Sequence, residues 1–120
     1  MSVLVVDDEK DIGLMISLFL KKEGFKTDHA IRINQARQMI KENDYELYFL
    51  DLSLPDGTGF DLIPTIRQKN KSSVIVVISA YNGTEEMQKA QDMGVNRFIK
   101  KPFMKKDIIS VINGLQRDKS

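Results

Sequence analysis

The chain has no cysteine, a single histidine, and no apolar run longer than the five residues from Val74 to Ile78. Without cysteine, disulfides and thiolate metal sites are excluded, which fits a reducing compartment. Five apolar residues fall far short of the ~20 that a membrane-spanning helix needs. The lone His29 ends an edge strand and is read as surface structure, so any metal site is left to oxygen donors. An excess of one charge is missing too. With 18 Lys plus Arg against 17 Asp plus Glu, the formal charge of +1 gives no overall field for nucleic acid or an anionic membrane. There is no G-x-G-x-x-G and no P-loop, the glycine-rich loops that cradle phosphate. Strand-like sequence begins at Ser2 and leaves no room for a basic, apolar leader. These absences imply a soluble, cytoplasmic protein with no membrane partner and no direct contact with nucleic acid.

What is present is a recurrence. Four apolar runs each end in a residue able to bind a phosphoryl group or its metal. They are Val3-Leu4-Val5-Val6 into Asp7-Asp8, Tyr48-Phe49-Leu50 into Asp51, Val74 to Ile78 into Ser79, and Phe98-Ile99 into Lys100-Lys101. Short runs rich in Val and Ile read as strands buried on both faces of a parallel sheet. In an open α/β sheet, ligands bind beyond the carboxyl ends of the strands. Three carboxylates, a hydroxyl and an ammonium are therefore expected in one crevice.

Strand and helix patterns alternate five times, which predicts an α/β doubly wound domain. The strands are placed at about 2–6, 25–30, 46–50, 74–79 and 96–100. The first helix presents Ile12, Met15, Ile16, Phe19 and Leu20 at helical spacing and stops at Gly24. The second passes through Ala36, Met39 and Ile40. The third contains Leu62, Ile63 and Ile66, with Pro64 either in its first turn, where a missing N–H costs nothing, or kinking it. The fourth opens at a capping box on Asn82 and ends at Gly94, and the fifth buries Ile108, Ile109, Val111, Ile112 and Leu115. The first, third and fourth strands are wholly apolar and must be central. The second and fifth mix in charge and suit the edges. The strand order is then 2-1-3-4-5, the flavodoxin-like arrangement of a (βα)5 fold with its switch point between strands 1 and 3. Residues 1–120 read as one domain, either a whole protein or the front end of a longer one.

Clustered carboxylates repel, and the simplest relief is a divalent cation; oxygen donors alone favour Mg²⁺ or Mn²⁺. Lys101 and Ser79 add a fixed cation and a neutral donor for an anion. Asp51 stands alone and suits a nucleophile, whereas the adjacent Asp7 and Asp8 suit sharing a metal. In Val3-Leu4-Val5-Val6-Asp7-Asp8-Glu9, Leu50-Asp51-Leu52-Ser53-Leu54-Pro55 with Gly59, Ile78-Ser79-Ala80, and Lys101-Pro102-Phe103, the chain resembles the receiver domain of two-component response regulators.

The resemblance implies a phosphorylation-activated switch rather than a multiple-turnover enzyme. Asp51 would accept a phosphoryl group from a sensor histidine kinase or phosphotransfer protein. Asp7, Asp8, Asp51 and the Ser53 carbonyl would hold Mg²⁺, with Asp7 acting mainly through a water. Lys101 would pair with the phosphoryl oxygens, and the Lys101-Pro102 bond would be cis. Ser79 and Phe98 would be the moving switch residues, and Ser53 and Tyr81 would tune the phosphoryl lifetime. The surface of the fourth helix, fifth strand and fifth helix would serve an output domain, a downstream protein or a homodimer.

Blander readings compete. Taken alone, Asp7-Asp8 is a solvated helix start, Ser79 a turn residue and Phe98 core. Lys100, Lys105, Lys106 and Arg97 read as a solvated basic face, and the methionines as gap fillers. Rival functions are a flavin or nucleotide module, a phosphatase, and a pseudo-receiver that only binds partners. Asp7-Asp8 would repel a bare phosphate, and Leu52-Ser53-Leu54 supplies no second acid.

Overall fold

Successive side chains of each central strand enter two different cores. The computed structural model describes residues 1–80 and 84–118. Its strands are β1 (Ser2–Val6), β2 (Lys26–Ala30), β3 (Leu47–Asp51), β4 (Val74–Ser79) and β5 (Arg97–Lys100). Its helices are α1 (Lys10–Lys22), α2 (Ile33–Glu42), α3 (Ile63–Lys69), α4 (Thr84–Asp92) and α5 (Lys105–Asp118), with a 3₁₀ turn at Gly59–Leu62 before α3. Because the strand period is two, Leu4, Val6, Tyr48, Leu50, Ile75 and Val77 face one side and meet α2, α3 and Ala90 of α4. Val3, Val5, Leu47, Phe49, Val76 and Ile78 face the other and meet α1 and α5.

All pairings are parallel and the order is β2-β1-β3-β4-β5, as the distribution of charge among the strands predicts. Burial on both faces explains why β1, β3 and β4 tolerate no charge inside the strand, while β2 and β5 lie at the edges with exposed lysines at Lys26 and Lys100. Gly24 and Gly94 close α1 and α4 at φ +88° and +80°, the left-handed backbone that glycine adopts at little cost. Pro64 sits in the first turn of α3.

Three expectations need correction. Met87 and Met104 are exposed, 45% and 63%, so they fill no gap; Met39 and Met93 do pack against the core. Ile109 is only half-buried, because it lies at the flank of the α5 apolar stripe that Ile108, Val111, Ile112 and Leu115 define. His29 is a structural link, half-buried, with Nε2 2.8 Å from the Asp7 carbonyl. A carbonyl can only accept, so Nε2 carries the proton. The ring fills the space over Gly13 of α1, where an added Cβ would lie 2.2 Å from it. The expected cap Asn82, with Gly83, lies outside the described residues.

Candidate functional site

The carboxyl edge of the sheet brings the four run-ending groups together. Asp7 follows β1 and is fully buried; its amide is tied to the Ala30 carbonyl at 3.0 Å, and its Oδ1 accepts the Glu9 amide at 2.8 Å. Asp51 ends β3, 3% exposed. Its Oδ1 accepts the Ser53 amide and its Oδ2 the Lys101 ammonium, both at 3.2 Å. Ser79 ends β4, and its carbonyl accepts the Lys101 amide at 2.7 Å, which places Lys101 beside Asp51. The Lys101-Pro102 bond is cis.

One ammonium faces three carboxylates. Lys101 Nζ lies 3.2 Å from Asp51 Oδ2, 3.4 Å from Asp7 Oδ2 and 3.2 Å from Glu9 Oε1. Burial alone would pull the lysine down, but the charges of Asp7 and Asp51 outweigh it and hold the ammonium above the ordinary lysine range. Asp7 moves up to about 6. Burial is the main cause and the Asp51 charge adds to it, against the Glu9 amide and Lys101.

Asp7 Oδ2 is close enough to Lys101 for attraction, yet it is buried without a hydrogen bond. Asp7, Asp8, Glu9 and Asp51 offer oxygens within 4.8 Å of one another. Mg²⁺ at ~2.0–2.1 Å from each ligand spaces neighbouring oxygens by about 3 Å and opposite ones by about 4 Å. The set is thus within small side-chain adjustments of a Mg²⁺ shell, and the orphaned oxygen gains a partner. The residues fit the ion.

Gly59 lets the 3₁₀ turn approach this site closely. A Cβ there would lie 2.3 Å from the Asp51 carbonyl oxygen, a backbone atom that cannot swing aside. Gly59→Ala is therefore expected to destabilise the domain by about 1–3 kcal/mol through overpacking. Thermal unfolding of the variant checks this, and an unchanged melting temperature would refute the close approach.

The chain matches the response regulator receiver domain family over residues 3–113. It belongs to that family. The receiver domain is 30% identical over 117 residues to the cell cycle response regulator CtrA of Brucella ovis, an alignment covering 98% of this chain and 50% of CtrA. It spans about half the length of the curated relatives it matches. Among solved structures it resembles the beryllofluoride-activated NtrC4 receiver domain dimer, with a TM-score of 0.90 and 33% identity over 99% of this chain and 98% of that one. It also resembles the non-phosphorylated HemR receiver domain from Leptospira biflexa, with a TM-score of 0.85 and 30% identity over 93% and 90% of the two chains. As a receiver, the domain is a phosphorylation-dependent signalling switch rather than an enzyme of the usual kind. No helix among the described residues is long and apolar enough to cross a membrane.

Of the residues expected at the receiver's site, Asp8, Asp51, Ser53, Ser79 and Lys101 line one crevice, and Asp7 meets it through Lys101. Phe98 is half-buried against the core on the α2, α3 and α4 face, outside the lining of that crevice. Tyr81 lies outside the described residues. Two acidic residues at the site are assigned no role from the sequence. Glu9 joins the ion cluster as a third consecutive acid, and Glu86 of α4 accepts the Ser79 hydroxyl at 3.0 Å. Thr58, Phe60, Glu85 and Lys89 are also part of the lining.

Proposed function

We propose that Asp51 is the phosphoacceptor, that Asp7, Asp8, Asp51 and the Ser53 carbonyl hold Mg²⁺ or Mn²⁺, and that Ser79 and Lys101 bind the phosphoryl oxygens. The observation that carries this reading is Lys101 Nζ lying within 3.4 Å of carboxylates at the ends of two separate strands. That arrangement leaves a fixed cation beside a carboxylate already oriented at both oxygens. An Asp51 oxygen attacks phosphorus in line; the P–N bond of a kinase or phosphotransfer phosphohistidine breaks, its electron pair stays on nitrogen, and the imidazole takes a proton from water. When water later attacks the acyl phosphate, inorganic phosphate leaves and the carboxylate returns. A bound divalent cation would supply charge neutralisation at the phosphoryl oxygens. Lys101 and the hydroxyl of Ser79 act on the same oxygens by positioned charge and hydrogen bonding. The domain turns over only its own acyl phosphate.

Ser53, exposed beside Asp51, together with Tyr81, would set the acyl phosphate's lifetime. Phe98, packed beside α4, would repack as Ser79 moves. The surface of α4, β5 and α5 would then meet an output domain, a downstream protein or a second copy, in the cytoplasm. The half-length match to CtrA supports an attached output segment. Acetyl phosphate with Mg²⁺ should add one phosphoryl mass to the wild-type chain, and none in excess chelator. No mass gain with metal would overturn the reading.

The titration of Asp7 gives a second check. Its folded value of about 6 lies above the ordinary 3.8, so the metal-free fold binds this proton more tightly than the unfolded chain. The stability contributed is fully present below the unfolded value and is lost as pH rises through about 6. Mg²⁺ must displace the same proton. Its affinity is expected to fall roughly tenfold per pH unit below that value. Calorimetric titrations at pH 5 and 7.5 measure this; equal affinities would remove Asp7 from the ligand set.

A further inference from the structure

The hydroxyl of Ser79 already has an acceptor. Ser79 is 2% exposed, and its Oγ donates to Glu86 Oε2 at 3.0 Å, joining the end of β4 to the first turn of α4. A serine hydroxyl has one hydrogen. It can serve the Glu86 carboxylate or a phosphoryl oxygen on Asp51, and not both at full strength. Glu86 also lines the crevice that holds Asp51 and Lys101, so its negative charge faces the place where phosphoryl charge would arrive.

We infer that Glu86 is a latch residue: it holds Ser79 and the amino end of α4 in the unphosphorylated arrangement and sets how much of the population can accept a phosphoryl group. The inference rests on Asp51 being the phosphoacceptor. Phosphorylation then has a defined competitor to displace, and releasing Glu86 frees α4 at the turn nearest the site. Glu86 is a positioning residue, since it acts through the Ser79 hydroxyl. A helix-dipole role is the simpler alternative, because Glu85 and Glu86 are both acids in the first turn. The two roles predict different couplings. A dipole effect would be shared by Glu85 and indifferent to Ser79. A latch belongs to Glu86 alone and vanishes without the hydroxyl.

The test is the affinity for beryllofluoride in saturating Mg²⁺, measured by intrinsic tyrosine fluorescence or calorimetry, in a double-mutant cycle. Removing a competing charge-assisted hydrogen bond should raise the competent fraction, so Glu86→Ala should bind the mimic about tenfold more tightly than wild type. In the Ser79→Ala background the same change should alter affinity less than about twofold. Glu86→Gln, which keeps an acceptor without the charge, should fall between. Glu85→Ala, which removes an equal charge from the same turn, should gain less than about threefold. An undiminished effect of Glu86→Ala in the Ser79→Ala background, or an equal effect of Glu85→Ala, would overturn the latch and leave simple repulsion. Unchanged affinity in Glu86→Ala would also overturn it. If wild type fails to bind beryllofluoride, or Asp51→Asn binds it equally well, the phosphoacceptor reading falls and takes the latch with it. A failure confined to Glu86 leaves that reading standing.

Discussion

Asp51→Asn should abolish phosphoryl incorporation from acetyl phosphate while leaving the domain folded. Two features separate these outcomes. The side-chain amide keeps one oxygen able to accept from the Ser53 amide or from Lys101, so the shape of the site is conserved. The amide is a far weaker nucleophile than a carboxylate, so the chemistry is lost. Removing one of two buried negative charges also lowers the repulsion felt by Asp7. The variant is therefore expected to melt at or above the wild-type temperature. Intact-mass spectrometry after acetyl phosphate treatment, beside a thermal melt, measures both. Equal modification of the variant would discard Asp51 as the acceptor, and a collapsed melt would show that the carboxylate is needed for the fold.

Lys101→Ala should be the most damaging single change at the site that leaves Asp51 intact. The lysine side chain is 13% exposed, and it sits against Asp7 and Asp51, which are 1% and 4% exposed. Taking it away leaves two buried carboxylates without their shared cation. Stranding a buried charge costs about 3–5 kcal/mol; the crevice opens to water and the acids can take up a proton, so about 3 kcal/mol is the expectation. The phosphorylation rate should fall by a further ~10²–10³, the typical loss when one fixed electrostatic group is removed. Divalent cation can neutralise the same carboxylates, so Mg²⁺ should recover more melting temperature in the variant than in wild type. Chemical denaturation with and without Mg²⁺ tests this, and an identical metal shift in both proteins would refute the shared-cation account.

Much of this site is legible in the chain because strand ends are legible. Apolar runs at β1, β3 and β4 leave no room for a charge until the strand stops, so the first polar residue after each run marks the carboxyl edge. The charged edge strands then fix the order, and the order brings Asp7 and Asp51 side by side. Glu86 escapes this logic. It lies on a helix whose acids read equally well as a solvated first turn, and only the rotation of α4 over β4 shows which acid reaches the Ser79 hydroxyl. Glu9 hides for the related reason that a third consecutive acid looks like more of the same. His29 is missed because an alternating polar edge strand reads as surface; its burial depends on Gly13, distant in sequence, leaving a gap in α1. Met87 and Met104 fail in the other direction, since apolar character alone does not say which face of α4, or which end of the β5–α5 connection, a side chain occupies.

At the opposite edge of the sheet, Arg67 binds the carbonyls of Lys71, Ser73 and Gly94 and the side chain of Asn96, whose oxygen also accepts the Ile75 amide. One guanidinium thereby rivets the exit of α3, the entry of β4 and the turn joining α4 to β5. The far end of α4 is thus anchored at Gly94, while its Thr84 end is tied to β4 by the Glu86–Ser79 hydrogen bond. Were phosphorylation to break the Glu86–Ser79 bond, a small event near the acidic crevice would tilt α4 about this anchored end, like a lever arm.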